Sequence, residues 1–166
     1  MKRLLTAIGL IGLTATPALA AQPKLQGTYS DWTVYSRTDG NEVICYAIAK
    51  PETMAPKSVN HGDIYFMVSN WKSGAAKEQP SLLTGYTLKT TRAPAAYVGS
   101  SKVAMYASEN EAFIDASADE KSLVKKMRAG AKMRVEAVSS RGTETSYVFS
   151  LKGITAALRK AKSACT

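Results

Sequence analysis

Residues 31–49 read DWTVYSRTDGNEVICYAIA and carry the pattern of a β-hairpin. The segment from Asp31 to Arg37 alternates around Trp32, which predicts a strand. The turn at residues 38–41 contains Asp-Gly, a strong signal for a tight hairpin, and the segment from residue 43 to residue 49 returns as a second strand. We therefore expect two neighbouring antiparallel strands at the start of the domain.

Further short strands follow the hairpin. The run IYFMV at residues 64–68 is the most apolar stretch after the N-terminal segment, and it predicts a central strand buried on both faces. Residues 82–88, 97–98, 103–107, 112–116, 132–137 and 143–151 also read as strands, with turn residues between most of them. Strands at this spacing predict an all-β fold. We expect an antiparallel β-sandwich, or a barrel-like sandwich, of about 8–10 short strands.

Two short helices are predicted, near residues 118–129 and 153–162. Ser117 and Glu120 have the spacing of a capping box, and Gly130 is typical of a left-handed helix end. In the second segment, apolar residues recur at helical spacing, namely Ile154, Ala157, Leu158 and Ala161. We expect this stripe to dock onto the sheet, although a membrane-surface helix has the same pattern.

The N-terminus has the layout of a secretory signal peptide. A basic start, MKR, precedes an apolar run at residues 4–15 and a small-x-small cleavage site at residues 18–20. We predict a signal peptide over residues 1–20, a loose lead-in over residues 21–30 and one domain over residues 31–166. Ala21, and not Cys, follows the cleavage site, so this position offers no acceptor for a lipid anchor. No later apolar stretch is long enough to span a bilayer. The sequence thus predicts a periplasmic protein that is not integral to the membrane, with outer-membrane association or secretion left open.

Two cysteines, Cys45 and Cys165, lie in the predicted mature chain. An even number of cysteines in an oxidising compartment favours a disulfide. Such a bond closes a loop of about 120 residues, which the chain-entropy model values at roughly 4 to 5 kcal/mol. The alternative is a buried Cys45 and a free thiol near the C-terminus.

Positive charge is concentrated in the last third of the chain. Residues 121–162 contain 11 Lys and Arg side chains against Glu136 and Glu144, whereas residues 21–120 have a net charge of −2. An exported protein rarely meets nucleic acid, so an anionic lipid headgroup, lipopolysaccharide, an acidic glycan or an envelope protein is the expected partner. The alternative is a solvated face. The candidate contact residues are Lys121, Lys125, Lys126, Arg128, Arg159, Lys160 and Lys162.

The sequence contains weak signals for catalysis. His61 is the only histidine, and no partner nucleophile is marked. The acidic groups at residues 109–115 and 119–120 resemble the carboxylate pairs of glycoside hydrolases, but such pairs are common in turns and helix starts. One His and two distant Cys do not supply a metal site. We predict no catalytic residue, metal or cofactor.

The aromatic side chains raise the question of a binding surface. Most aromatics in a small β-protein belong to the core or to cross-strand pairs. Trp71 is the best candidate for an exposed contact, because it lies where a buried strand enters a Lys/Gly loop.

Four stretches resemble the invasion-associated locus B family of exported bacterial proteins. Residues 31–36 (DWTVYS) resemble its opening tryptophan strand, and residues 44–47 (ICYA) its second strand. Residues 123–138 resemble its helix, turn and strand, and residues 150–158 (SLKGITAAL) resemble its C-terminal segment. The resemblance implies an all-β periplasmic or envelope protein without known catalytic residues.

The cysteine positions depart from the family pattern. Family members often pair a cysteine that closes the tryptophan strand with one in the second strand, and Ser36 stands at the first of these positions. A second family pair corresponds to Ala107 and Ala112. Cys165 is then the natural new partner for Cys45.

Three functions follow as hypotheses. The first is a non-enzymatic envelope protein that binds a partner protein or an anionic envelope component through its basic C-terminal third. The second is a surface-exposed or secreted factor that meets host cells, in line with a virulence association. The third is a periplasmic hydrolase that uses Asp, Glu or His61.

Overall fold

The structure, a computed structural model, describes residues 22–166. The predicted signal peptide lies outside the described residues. Within them, two helices, α1 (Ser117–Ala129) and α2 (Ile154–Ala164), accompany twelve strands. The strands are β1 (Lys24–Tyr29), β2 (Trp32–Asp39), β3 (Glu42–Ala49), β4 (Thr53–Ala55), β5 (Tyr65–Trp71), β6 (Gln79–Leu83), β7 (Ala95–Val98), β8 (Ser101–Ala104), β9 (Tyr106–Ser108), β10 (Glu111–Phe113), β11 (Lys132–Val138) and β12 (Glu144–Ser150).

The strands form two antiparallel sheets. The seven-stranded sheet has the order β1-β2-β3-β5-β6-β10-β9, and the five-stranded sheet has the order β4-β12-β11-β7-β8. This architecture confirms the predicted all-β sandwich with two short helices. The described chain has more strands than the 8–10 expected, and three of them, β4, β9 and β10, are only three residues long.

The N-terminal hairpin forms as predicted, but the segment before it is not loose. β2 and β3 pair from Thr33↔Ile48 to Asp39↔Glu42, and Gly40 takes the left-handed conformation (φ 58°) that the tight turn requires. The expected lead-in over residues 21–30 is corrected by β1, which pairs with β2 and adds an edge strand. The register of β1 shifts between Leu25 and Gly27, so the alternation of its side chains is interrupted and hard to recognise.

The core lies between the facing sheets. Phe66 on β5 and Phe149 on β12 approach with ring centroids 5.7 Å apart. β5 is the central strand of its sheet, as predicted, but it is not buried on both faces: Phe66 and Val68 are buried, whereas Tyr65 and Met67 point to the outer face and are half-buried. The apolar run therefore belongs to a strand with one core face and one outer face that no second layer covers completely.

Helix α1 begins one residue earlier than a capping box requires. Its N-cap is Ala116, no side chain caps it, and Ser117 is already helical. Gly130 ends the helix with φ −92°, not with a left-handed conformation. The glycine is needed for space, because a Cβ atom at this position would lie 2.6 Å from Cγ1 of Val98.

Helix α2 docks onto the seven-stranded sheet and contacts β1, β2, β3 and β5. Its buried stripe is the one predicted, namely Ile154, Ala157, Leu158 and Ala161. Before it, Gly153 has φ 89°, and a Cβ atom there would lie 2.0 Å from the carbonyl oxygen of Tyr29. In the described part of the chain, neither helix is long and apolar enough to cross a membrane.

Candidate functional site

The predicted basic residues of α1 divide into two groups. Leu123, Val124 and Met127 face the core, so Lys121 and Lys125, four residues apart, lie on the opposite, exposed face. Neither lysine forms an ion pair with a described residue. These two ammonium groups are therefore free to contact an external anion.

The other two basic residues of α1 are engaged by their own chain. The Nζ atom of Lys126 donates a hydrogen bond to the hydroxyl of Ser101 at 2.7 Å. Arg128 forms an ion pair with Glu78, and both side chains are about one-third exposed. To contact an external partner, Lys126 and Arg128 would have to give up these internal bonds. The bonded residues lie 25 and 50 positions away in the sequence.

On α2, the predicted cations lie opposite the docked stripe. Arg159 and Lys162 are exposed, whereas Lys160 is half-buried, and none of the three forms an ion pair with a described residue. Lys152, just before the helix, is also exposed. The two helices contact each other. We call Lys121, Lys125, Arg159 and Lys162 the helical basic face.

Few acidic groups accompany this face. Asp119 and Glu120 lie in the first turn of α1, where negative charge is favourable. Glu120 is half-buried, and this burial raises the pKa of its carboxyl above the ordinary value, although a hydrogen bond from Gln79 and the charge of Lys121 act in the opposite direction. In α2, the first turn contains no acidic residue.

Cys45 and Cys165 form a disulfide, with their Cα atoms 5.7 Å apart. The bond joins the interior of β3 to the residue that caps the C-terminal end of α2. It fixes the last turn of the helix, and with it Lys162, against the seven-stranded sheet. The disulfide is therefore a structural support of the helical basic face.

Trp71 ends β5 on the outer face of the seven-stranded sheet and is 38% exposed. It lies opposite Ile44 of β3, and the neighbouring row of the same face contains Tyr35 and Tyr46, whose ring centroids are 6.0 Å apart. Trp32, by contrast, is fully buried. The structure thus separates the two tryptophans into a core residue and a surface residue.

A second set of cations was not recognised as a group in the sequence. On the outer face of the five-stranded sheet, the ring of Tyr97 lies between Arg134, whose guanidinium carbon is 4.3 Å from the ring centroid, and Lys102, whose Nζ atom is 5.8 Å from it. Arg134 also pairs with Glu136. The three side chains come from β7, β8 and β11, so only the strand pairing brings them together.

His61 takes part in a buried hydrogen-bond chain. Its Nε2 atom lies 2.9 Å from the carbonyl oxygen of Pro56, which can only accept, so Nε2 carries the hydrogen. The Nδ1 atom then accepts from the hydroxyl of Tyr147 at 3.0 Å, and Tyr147 accepts from Tyr86 at 2.8 Å. Both ring nitrogens are thereby used, and His61 is 6% exposed. This geometry is that of a structural histidine.

The acidic pairs considered for hydrolysis do not converge on a cleft with His61. A cleft of about 560 Å³ is lined by Thr84, Gly85, Tyr86, Thr87, Glu109 and Asn110 and contains a single carboxylate. Another of about 550 Å³, on the five-stranded sheet, contains Glu136 and Glu144, which pair with Arg134 and Arg92. Among residues 22–166, no group of three or more His, Cys, Asp or Glu side chains is arranged to hold a metal ion.

Comparison with known proteins identifies a family. The family model described as "Invasion associated locus B (IalB) protein" matches residues 32–162, which is well over half of the chain. The match begins at the buried Trp32 and ends in the last turn of α2, so it includes every strand except β1, all of α1 and most of α2. No curated protein and no solved structure matches the chain.

Proposed function

The chain belongs to the invasion associated locus B family, and from this premise we propose that it is a non-enzymatic protein of the bacterial envelope that binds an anionic component or partner through its helical basic face. The proposed location is the periplasm, reached by means of the signal peptide predicted over residues 1–20. A protein that works outside the cytosol meets phosphate-rich lipid headgroups and lipopolysaccharide, to which exposed ammonium and guanidinium groups are attracted.

One observation carries the proposal: four exposed cations on two contacting helices have no acidic partner among the described residues. Lys121, Lys125, Arg159 and Lys162 lie opposite buried stripes, so their helices are held by the core and their charges face outward. Some other cations are paired internally, as Arg128 is with Glu78 and Lys132 with Glu52, whereas exposed lysines such as Lys57 and Lys89 form no ion pair with a described residue. A partner that supplies anionic groups would provide the missing counter-charges.

The binding mode follows from what the helices already bury. Ile154, Ala157, Leu158 and Ala161 are in contact with the sheet, so α2 does not present them to a membrane. Attraction to the envelope would then be electrostatic, with little apolar insertion. Such binding weakens as salt increases, because exposed charges are screened over about 8 Å at physiological ionic strength.

The test is vesicle binding by the mature protein. We expect binding to phosphatidylglycerol vesicles at low salt, loss at high salt, and little binding to phosphatidylcholine vesicles. Replacement of all four residues of the helical basic face by Gln should weaken binding at least tenfold. The matched control replaces four exposed lysines elsewhere, Lys57, Lys72, Lys77 and Lys89, by Gln and leaves binding within about threefold of the wild type.

Two outcomes would contradict the proposal. Absence of binding to phosphatidylglycerol and lipopolysaccharide at low salt would remove its electrostatic part. Equal weakening by both quadruple variants would show that net charge matters and the helical basic face does not. A pull-down from envelope extract with the same variants tests a protein partner.

The family description favours a second candidate, a surface-exposed or secreted factor that meets host cells. Under this candidate, the same basic face would contact acidic glycans or headgroups of another cell. Cell fractionation separates the two candidates: a strictly periplasmic pool excludes the second, and recovery of the protein from intact cells by surface protease treatment would support it.

A further inference from the structure

We propose that the Cys45–Cys165 disulfide is a reversible thiol-exchange site, in which a dithiol reductant attacks the Sγ atom of Cys165 and Cys45 leaves as a thiolate that receives a hydrogen bond from the side chain of Asn70. The inference concerns the chemistry of the bond and goes beyond its role as a support of α2.

The two cysteine residues differ in exposure. Cys45 is fully buried within β3, between β2 and β5, whereas Cys165 is 8% exposed and caps the C-terminal end of α2. Thiol–disulfide exchange needs the attacking thiolate to approach one sulfur along the bond axis, so access selects the sulfur that is attacked. Attack at Cys165 makes Cys45 the leaving group.

Asn70 is placed to stabilise that leaving group. It lies directly opposite Cys45 in the β3–β5 pair, and side chains at such positions have Cβ atoms about 4.5–5.5 Å apart. Asn70 is 6% exposed, and its Oδ1 atom accepts from the backbone N–H of Glu78 at 3.1 Å. Its Nδ2 atom, however, has no acceptor among the described residues, and a buried donor without an acceptor is unfavourable. In the proposed exchange, a thiolate at Cys45 supplies the acceptor.

Cys165 also has partners that only its reduced form can use. Its Sγ atom lies 3.3 Å from the carbonyl oxygen of Asn70 and 3.5 Å from that of Val43. A disulfide sulfur has no hydrogen, so neither contact is a hydrogen bond while the bond is closed. After reduction, the S–H group of Cys165 can donate to either carbonyl. The surroundings of both sulfurs therefore favour the open form relative to an apolar environment.

The exchange is balanced with respect to electrons and protons. The thiolate of the reductant forms a bond to Sγ of Cys165, the Cys45–Cys165 bond breaks, and its electron pair goes to Cys45. The second thiol of the reductant then attacks the mixed disulfide and releases Cys165. The reductant ends as a disulfide, and the protein has gained two electrons, with protons taken from the second thiol and from water as the two cysteines are protonated.

Opening the bond would loosen a defined part of the molecule. The buried side chains of Ile154, Ala157 and Leu158 hold the first turns of α2 on the sheet by apolar packing. The last turn, which carries Lys162, loses its covalent attachment to β3. Reduction would thus alter one end of the helical basic face while the rest of the fold persists.

The first test compares reduction rates of the folded full-length mature protein by dithiothreitol. The variant Asn70→Asp keeps an oxygen that can accept from Glu78 but removes the donor and adds a negative charge beside Cys45. We expect reduction about tenfold slower than in the wild type. The control Ser69→Asp adds the same charge on the opposite face of β5 and should stay within about twofold. Equal rates for Asn70→Asp and the wild type would overturn the proposal.

Two further measurements keep the test decisive if Asn70→Asp folds poorly. In the wild type, brief treatment with glutathione followed by peptide mass mapping should place the mixed disulfide on Cys165; a mixed disulfide on Cys45 would overturn the assigned direction. In addition, the reduction rate should exceed the global unfolding rate measured under the same conditions. A reduction rate equal to the unfolding rate would show that the bond opens only in unfolded molecules, which also contradicts the proposal.

Discussion

The indole N–H of Trp32 donates a hydrogen bond to the carbonyl oxygen of Ser150 at 2.9 Å. Trp32 begins β2 in the seven-stranded sheet, and Ser150 ends β12 in the five-stranded sheet, so the bond joins the two layers directly. The two residues are 118 positions apart and lie in the first and last of the family-like segments. The tryptophan strand and the C-terminal segment are thus parts of one contact.

This contact predicts the effect of Trp32→Phe. The substitution keeps an aromatic ring but leaves the buried carbonyl of Ser150 without its donor and creates a small void. We expect a loss of about 1–3 kcal/mol in the free energy of unfolding, measured by urea denaturation. Trp71→Phe, at an exposed position, is the control and should change stability by less than about 0.5 kcal/mol. Equal losses in the two variants would contradict the role of the indole N–H.

Gly153 and Gly142 form a matched pair for a second prediction, because both have φ 89°. An added Cβ atom meets nothing within 4 Å at Gly142, but at Gly153 it lies 2.0 Å from the backbone oxygen of Tyr29. Gly142→Ala should therefore cost only the conformational strain, about 1–2 kcal/mol. Gly153→Ala should cost about 3 kcal/mol or more, or prevent folding. Thermal unfolding of both proteins checks the difference, and similar melting temperatures would refute it.

Gly130 provides a third prediction, in which space alone is at issue. Its φ of −92° suits any residue, but a Cβ atom would lie 2.6 Å from Val98 and 3.2 Å from Leu151. Gly130→Ala should destabilise the protein by about 1–3 kcal/mol through overpacking. Combination with Val98→Ala should recover at least about 1 kcal/mol relative to the sum of the single changes. Strictly additive effects in denaturation experiments would show that the close approach is not the cause.

The fourth prediction concerns the pH dependence of stability. Burial, followed by the hydrogen bond with Tyr86, raises the pKa of the Tyr147 hydroxyl well above its ordinary value of about 10. Below pH 10 the hydroxyl of Tyr147 is protonated in the folded and in the unfolded chain, so it does not make the free energy of unfolding depend on pH. Above pH 10 the unfolded chain loses this proton and the folded protein keeps it, so the stability falls as pH rises.

The variant Tyr147→Phe isolates that contribution. At neutral pH it should lose about 1–3 kcal/mol, because Nδ1 of His61 and the hydroxyl of Tyr86 lose a partner. Between pH 9 and pH 11 its stability should decline less steeply than that of the wild type. Urea denaturation at several pH values in this range gives the free energy of unfolding of both proteins. An equal decline with pH in the variant and the wild type would rule out Tyr147 as the titrating group.

The parts of the fold that were predictable depend on local patterns. The hairpin of β2 and β3 combines alternation with a glycine in a tight turn, and both signals lie within 19 residues. The α2 stripe is equally local, because its four apolar residues recur at helical spacing. By contrast, β1 has a register shift between Leu25 and Gly27, so the alternation that would reveal the strand is broken.

Roles set by distant contacts were not predictable. Ser117 and Glu120 have the spacing of a capping box, yet the helix begins at Ser117 and the box does not form. The position of Gly130 is typical of a left-handed helix end, but the glycine is required there because Val98 of β7 leaves no space for a Cβ atom. In the same way, the sequence could not distinguish Arg128, which is paired with Glu78, from the exposed Lys125. The roles of Gly130 and Arg128 depend on a residue at least 30 positions away in the sequence, and the missing capping box depends on a helix start that is shifted by one residue.

The position of Cys165 has a consequence for the order in which the molecule is made. A chain is synthesised from its N-terminus, so Cys45 waits for its partner until 120 further residues have been added. A chain cut short anywhere before residue 165 lacks that partner and keeps a free thiol at Cys45. A closed bond at Cys45 therefore shows that synthesis of that molecule passed residue 165.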